Sequence, residues 1–353
     1  MFKENYNVIG VMSGTSLDGV DLACIKFNYS DHWTFEIGLS ETVSYSNEWV
    51  TILKKAIHYS EEELQDLNVA YTKLLASIIF DFISKNNLSD IDAVCSHGHT
   101  ILHQPQNGLT LQIGNLPMIR DLVNQTIVCD FRVQDVALGG QGAPLVPIGD
   151  EKLFSEYDCC LNLGGIANIS LKENQKRLAL DVAPFNLVIN QLVASLGWLM
   201  DKDGEEANRG VVNEDLLTQL NKVSFYSIKG VKSLGKEYID ANFSFIHTSP
   251  ISLADKLCTF NHHVAFQINK LIAPKVRKVL ITGGGAYNKH FINCLNTINS
   301  NTDWFVPSKE TVDFKEALIF AFLGYLRVNN QINIYNSYTG AQKNSIAGHL
   351  VKG

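Results

Sequence analysis

The sequence predicts an α/β protein built as two successive lobes, and three observations carry that expectation. Apolar, strand-like runs alternate with helical stretches of amphipathic spacing, which is the pattern of a layered sheet-and-helix fold. A strand, a polar Gly-bearing turn and a returning strand open the chain, and the same pattern comes back in altered form near the middle. The chain has 353 residues, of which 46% are hydrophobic, so it can bury a sizeable core that divides more naturally in two than it packs as one.

The elements follow in order. Residues 7–12 read as a buried strand, and after Ser13-Gly-Thr-Ser-Leu-Asp-Gly a second apolar run, Val20 to Phe27, follows at hairpin distance. From Glu61 onward Leu64, Leu67, Tyr71, Leu74, Leu75, Ile78, Ile79 and Phe82 recur at helical spacing, with Ser60 and Glu63 forming a capping box. Strands are expected at 91–96, 109–113 and 126–130, with a helix at 115–124. Then Asp158-Cys-Cys-Leu-Asn-Leu, Gly164-Gly-Ile-Ala-Asn, Ile169-Ser-Leu and a strand at 177–181 repeat the opening pattern. Helices at 185–196, 213–221 and 253–272, a strand at 278–282 ending in Gly283-Gly-Gly, a helix at 315–328 and a polar tail complete the chain. No low-complexity linker separates the halves, so the crossing falls near 130–147, and a cleft between lobes is the expected ligand site.

Composition excludes several classes. A formal net charge of -7, with no local concentration of Lys and Arg, disfavours nucleic acid and anionic lipid surfaces as partners. The first residues, Met1 to Asn7, lack the apolar core of a signal peptide, which argues against secretion. The apolar segment 317–326 is too short to cross a bilayer and reads as a buried core helix. Seven cysteines with no C-x-x-C pair, mostly inside apolar runs, indicate reduced buried thiols and not a disulfide framework or a zinc site.

Several segments carry candidate chemistry. Gly14-Thr-Ser-Leu-Asp-Gly sets small, hydroxylated residues on a tight turn whose backbone N–H groups and hydroxyls can converge on phosphate oxygens, though a plain hairpin turn fits the same residues. It lacks the Lys of a Walker loop. Asp18 and Asp21 beside such a turn would need Mg²⁺ or its water shell between them and a phosphate. Gly164-Gly165 and Gly283-Gly284-Gly285 also end strands, where glycine permits positive φ and close backbone approach. Three such turns favour a nucleotide, and no G-x-G-x-x-G with its downstream acid supports a dehydrogenase. His97, His99 and His103 lie close in sequence without a metal-ligand frame, so a structural or substrate-contacting role comes ahead of zinc. Arg132 offers a fork for carboxylate or phosphate, or an ion pair with Asp130 or Asp135. Asp181 ends a strand shortly before Pro184 and a helix, so its carboxylate either points outward from the strand end or caps that helix.

Taken in order, Gly10-Val-Met-Ser-Gly-Thr-Ser-Leu-Asp-Gly-Val-Asp, Ser96-His-Gly-His-Thr, Gln112-Ile-Gly, Asp130-Phe-Arg, Gly139-Gly-Gln-Gly-Ala-Pro-Leu, Asn162-Leu-Gly-Gly-Ile-Ala-Asn, Gly283-Gly-Gly-Ala-Tyr-Asn, Glu316-Ala and Thr339-Gly-Ala resemble the anhydro-N-acetylmuramic acid kinase family over essentially the whole chain. The resemblance implies two actin-like, ribonuclease H-like lobes, 1–132 with 335–353 and 133–334. It also implies ATP with Mg²⁺, an amino sugar substrate, a homodimer and a place in peptidoglycan recycling in the bacterial cytoplasm. Carried onto this sequence, Gly14, Thr15, Ser16, Leu17, Asp18, Gly19, Val20 and Asp21 hold ATP phosphates, joined by Gly164, Gly165, Gly283, Gly284, Gly285 and Asn288, with Asp18 reaching Mg²⁺ through water. Asp181 deprotonates the attacking water; Arg132 and Glu316 contact the sugar or support that base; His97, Asp135 and Asn186 contact the substrate. Lobe closure would shield ATP from wasteful hydrolysis. One segment departs. Where the family usually has Asp-Thr-Gly-Pro-Gly-Asn, this chain has Asp181-Val-Ala-Pro-Phe-Asn, so Ala183 and Phe185 are expected to force a different local path or a reshaped sugar pocket. A kinase for another amino sugar, or a nucleotide-gated binding protein of the same fold, are the competing readings.

Overall fold

The computed structural model describes residues 6–173, 176–228, 230, 232–272 and 274–352, so most of the amino-terminal segment considered above lies outside the described residues. Twelve strands run in chain order among them: β1 Tyr6–Ser13, β2 Gly19–Tyr29, β3 Trp33–Ser44, β4 Ala93–Gln104, β5 Leu109–Ile113, β6 Ile127–Cys129, β7 Cys159–Leu163, β8 Ile166–Glu173, β9 Lys176–Pro184, β10 Lys278–Thr282, β11 Asp303–Phe305 and β12 His349–Val351. Two compact units result: Met1–Leu153 together with Phe314–Gly353, and Phe154–Asp313.

In the first unit the sheet order is β12-β6-β4-β1-β2-β3, with β5 paired to β4. The β1–β2 and β2–β3 pairs are antiparallel, whereas β1–β4 and β4–β6 are parallel. The second unit's sheet, β11-β10-β7-β8-β9, has the same plan: β7–β8 and β8–β9 antiparallel, β7–β10 and β10–β11 parallel. A three-strand meander followed by two parallel strands on the side of its first strand is the ribonuclease H-like order, and it occurs twice. The duplication expected from the returning strand–turn–strand pattern is therefore present in the strand order itself.

Local chemistry explains the helices. Ser60 Oγ accepts from Glu63 N–H while the Glu63 carboxylate accepts from Ser60 N–H, so the capping box opens helix Glu61–Lys85. That helix is long and apolar enough to cross a membrane by length and composition, but Leu64, Leu67, Tyr71, Leu75, Ile79 and Phe82 form its buried face in the first core. Asn213 caps Glu214–Asn221 through Leu216 N–H, and helix Leu253–Ile272 spans the expected range. The helix expected at 115–124 is shorter, Met118–Val123, because Pro117 precedes it and Asn124 turns left-handed at φ 55°. All seven cysteines are free thiols, six of them buried and Cys24 half-buried.

The units divide elsewhere than at 132/133 and 334/335. Helices Val133–Ala137 and Pro147–Leu153 belong to the first unit, as does helix Lys309–Val328 from Phe314 onward. That helix begins earlier than the apolar run indicates, and at Phe314 (φ -112°, ψ 15°) its backbone departs from helical geometry at the residue where the unit changes. The apolar stretch Ala317 to Leu326 is buried, as its composition predicts, and it packs on the first sheet at glycines. A Cβ at Gly10 would lie 2.0 Å from the Ala317 carbonyl oxygen, and one at Gly324 would lie 2.0 Å from Cys95 Sγ and 2.7 Å from its Cβ. Neither neighbour has a flexible end to move aside. Gly324→Ala is therefore expected to destabilise the protein by roughly 1–3 kcal/mol, the usual cost of overpacking, read as a lowered midpoint in denaturant.

Candidate active site

The candidate residues divide between the two units. In the first, β1 ends at Ser13 and β2 begins at Gly19, leaving Gly14 to Asp18 as the connecting turn. Leu17 is left-handed at φ 62°, and its N–H donates to Gly14 O at 3.3 Å. Thr15, Ser16 and Asp18 are exposed, and Ser16 Oγ donates to Asp18 Oδ1 at 2.6 Å. Asp21 lies half-buried on β2, where it accepts from Thr42 Oγ1 at 2.6 Å. Two members of the expected phosphate set face inward instead: Val20 is a core residue, and Gly19 is buried against the Val43 carbonyl. Exposed hydroxyls and carboxylate thus concentrate at residues 15, 16 and 18.

The second cluster of this unit surrounds Arg132. Its Nε donates to His97 Nε2 at 2.9 Å and its Nη1 to Gly142 O at 2.7 Å. Because a guanidinium only donates, His97 Nε2 must be the acceptor, which leaves the proton on Nδ1 to donate to Gly98 O at 2.9 Å. Burial and the neighbouring Arg132 hold His97 well below the ordinary imidazole pKa, so it is neutral. Desolvation brings Arg132 down to about 10, opposed by the charge of Glu316. Glu316 is exposed yet crowded at longer range by protein; this desolvation raises its carboxyl pKa, and Arg132 pulls it back down. Among the described residues neither Asp130 nor Asp135 pairs with Arg132. Asp130 accepts from Asn115 Nδ2 at 2.8 Å. Asp135, expected at the substrate, is completely buried and spends both oxygens on its own chain: Oδ2 accepts from Gly142 N–H at 2.8 Å and Oδ1 from Thr339 Oγ1 at 2.6 Å. It organises the 139–142 loop. His99 and His103 bond Ser13 Oγ and Thr110 Oγ1 respectively, and no cluster of three or more metal-binding side chains occurs among the described residues.

In the second unit, Gly164-Gly165 connects β7 to β8 and its carbonyls accept the first N–H groups of helix Asn186–Val193: Asn186 N–H to Gly164 O at 3.2 Å, Phe185 and Leu187 N–H to Gly165 O at 2.8 and 3.1 Å. Gly283, at φ 81°, ends β10, and a Cβ there would meet Asn162 Oδ1 at 2.6 Å, so this turn closes onto β7. Asn186 Nδ2 donates to Leu163 O, and Asn288 caps helix Lys289–Ile298 through Phe291 N–H while donating to Asn261. Both asparagines, expected at ligands, hold backbone together. Gly284 has open space around it, with Asn186 Nδ2 4.0 Å from where its Cβ would be.

Asp181 is interior to β9, which continues to Pro184, and the helix that follows has no side-chain cap. The capping alternative therefore fails. Asp181 N–H donates to Lys232 O at 2.9 Å, and Oδ2 accepts from Leu234 N–H at 2.8 Å. Half-burial raises the carboxyl pKa and the Leu234 hydrogen bond lowers it in part. Ala183 and Phe185 take negative φ, so side chains are accommodated without left-handed backbone. The Phe185 ring is fully buried on Phe291 at 4.5 Å between centroids, and a Cβ at Gly285 would lie 2.4 Å from its edge. The aromatic substitution thus fills the core beneath the glycine turn.

Two ribonuclease H-like sheets, each bearing a Gly-containing turn after its first strand, are the arrangement of the actin-like fold class, which includes ATP-dependent sugar kinases. Residues 6–353 match the family model described as anhydro-N-acetylmuramic acid kinase, and the chain belongs to that family. Curated proteins of that name are similar throughout: one from Caldanaerobacter subterraneus is 33% identical, covering 99% of this chain and 97% of its own. One from Shewanella denitrificans is 34% identical over 99% and 98%, and one from Francisella tularensis is 32% identical over 97% of each.

Sequence reasoning missed the hydroxyls that gather on Ser13, from Tyr45 and Tyr71, because residues far apart in sequence leave no spacing signal. It also missed the buried Asp150–Lys315 ion pair at 2.8 Å, next to Glu316. The buried imidazoles lead to a pH prediction. Burial depresses His99 to about 4 and His263 to about 3, below their unfolded value near 6.5. The unfolded chain takes up protons that the native one refuses, so their stabilisation is complete above about pH 6.5 and is lost as pH falls toward the depressed values. Thermal midpoints measured from about pH 7.5 down to about pH 5 should fall; a flat profile contradicts the neutral buried state.

Proposed function

We propose that this chain uses ATP to convert 1,6-anhydro-N-acetylmuramic acid to N-acetylmuramic acid 6-phosphate, for peptidoglycan recycling. Asp181 accepts a proton from water as its oxygen bonds to the anomeric carbon. The bond from that carbon to O6 breaks, O6 takes the bonding electrons to the γ-phosphorus, and the bond from phosphorus to ADP breaks. One carboxylate suffices, because the phosphoryl group captures the oxygen that an inverting glycosidase would protonate with a second acid. The observation that supports this reading most is the Asp181 carboxylate. Among the described residues it receives one hydrogen bond, at Oδ2, and its raised pKa suits a base better than an ordinary surface carboxylate does.

Arg132 and Glu316 contact the sugar or support the base, with two of the three Arg132 nitrogens already fixed by His97 and Gly142. Thr15, Ser16 and Asp18 supply the exposed polar groups for ATP phosphates, and open space at Gly284 fits close approach of the nucleotide. The exposed Asp18 carboxylate, beside Ser16 in the turn, suits Mg²⁺ held through a water, the ion's other positions being filled by waters and phosphate oxygens. A homodimer working in the bacterial cytoplasm, as the resemblance of the motifs implies, completes this reading.

The experiment is to incubate the purified protein with ATP-Mg²⁺ and a panel of anhydro and reducing amino sugars, following ADP and sugar phosphate together. Product from the anhydro sugar alone is expected; preferential phosphorylation of a reducing amino sugar would overturn the substrate. Asp181→Asn keeps the shape without the basic oxygen, so turnover should fall about a hundredfold or more while nucleotide binding survives. In the parent, the acid limb of kcat/KM should lie above the value of an ordinary aspartate, activity being lost as pH falls through the raised pKa. Near-parental turnover in a well-folded Asp181→Asn protein would remove Asp181 as the base.

A further inference from the structure

At the root of the Gly14–Gly19 turn, Ser13, Tyr45, Tyr71 and His99 share four hydrogen bonds. Ser13 Oγ meets Tyr45 OH at 2.5 Å, His99 Nδ1 at 2.8 Å and Tyr71 OH at 2.9 Å, and the two tyrosine hydroxyls meet at 2.5 Å. Each hydroxyl has one proton to give, so three hydroxyls can satisfy three of these four bonds. The fourth proton must come from the imidazole. Tyr71 donates to Ser13, Ser13 to Tyr45 and Tyr45 to Tyr71, which closes a ring, and His99 Nδ1–H donates into the remaining lone pair of Ser13. Running the ring the other way needs the same imidazole proton. If His99 Nδ1 were instead an acceptor, two oxygens of the ring would face each other lone pair to lone pair.

The four residues come from β1, the segment after β3, helix Glu61–Lys85 and β4, so the ring ties the first residue before the turn to three other parts of the unit. Ser13, Tyr71 and His99 are buried; Tyr45 is half-buried. Burial raises the Tyr45 pKa most, its hydrogen bonds with Ser13 and Tyr71 pull it back in part, and the charges of Asp18 in the turn and Asp21 on β2 raise it further.

We propose that this closed hydroxyl ring, with His99 locked as its Nδ1–H tautomer, is the positioning device that sets the Gly14–Gly19 turn for nucleotide phosphates. It deepens the reading of that turn as the phosphate site and rests on it. Tyr45 and Tyr71 are then positioning residues for ATP, although neither lies in the turn.

Tyr45→Phe and Tyr71→Phe each remove one hydroxyl and leave the ring one donor and one acceptor short. Each should raise KM for ATP about tenfold, with the sugar KM and kcat at saturating ATP within about twofold of the parent. A purely structural role would lower the thermal midpoint without that split. Asp18→Asn, followed across a Mg²⁺ titration, separates the two readings. If it raises KM for ATP while both Phe variants leave it unchanged, the ring has no positioning role; if it leaves ATP kinetics untouched, the turn is not the phosphate site. Should Tyr71→Phe not fold, Tyr45→Phe decides alone. Imidazole ¹⁵N spectra of the parent protein test the proton count without activity: His99 protonated at Nδ1 is expected, and protonation at Nε2 would overturn the ring.

Discussion

The carbonyl oxygen of Ala317 occupies the place that a Cβ at position 10 would take, and much of the first unit follows from that contact. It brings a helix backbone against the central strand of a mixed sheet, closer than any side chain would allow. Gly324 repeats the arrangement at Cys95 on the neighbouring strand, β4, so the helix is seated at two points on adjacent strands. Between and around these points Phe27, Trp33, Phe322 and Tyr325 interlock with ring centroids 5.1 to 6.5 Å apart. Glu316 and Lys315 stand at the start of this seated stretch. Their positions are therefore set by backbone packing, while the Asp150–Lys315 pair adds an electrostatic tie at the same level.

Three polar groups nearby, Arg132, His97 and Asp135, are each matched to partners that suit their chemistry. Arg132 can be half-buried because His97 and the Gly142 carbonyl receive its N–H groups, and His97 can be fully buried because it is neutral. Asp135 is tolerated at zero exposure because two donors, one backbone and one hydroxyl, satisfy its oxygens. The 139–142 loop is held by these same bonds, from Arg132, Asp135 and Thr339. In the second unit, glycine carbonyls at 164 and 165 meet the open donors of a helix start, so that turn supports structure with its carbonyl side.

Much of this was legible in the sequence. Periodicity, the Ser60–Glu63 box and the returned strand–turn–strand pattern predict the principal elements and the duplication of the fold. The glycine turns, Arg132 and Asp181 draw notice by residue type. Less legible was which way a side chain faces once folded. Asp135, Asn186 and Asn288 carry ligand-like chemistry, yet each also holds the fold together: Asp135 through Gly142 N–H and the distant Thr339 hydroxyl, Asn186 through the Leu163 carbonyl, and Asn288 through Phe291 N–H and the Asn261 side chain. The end expected for the strand that holds Asp181 falls too early, because Pro184 resembles a terminator although β9 extends as far as it on the sheet edge, where a missing N–H is tolerated. Phe185 resembles an intruder in a ligand pocket and proves to be core packing, since an aromatic ring has more to gain from burial on Phe291 than from exposure.

The division of the chain has a consequence for the order in which the protein can be made. Residues 154–313 form one uninterrupted unit, with all five strands of its sheet inside that span. The first unit is different: its sheet ends on β12, at 349–351, and the helix seated on β1 and β4 comes after residue 313. As the chain leaves the ribosome, the lobe that starts first must finish last. Until the final forty residues arrive, β1 and β4 lack the helix that covers them and β6 has a bare edge. The second unit's core needs none of those residues, so its burial can be completed while the first unit's sheet is still uncovered.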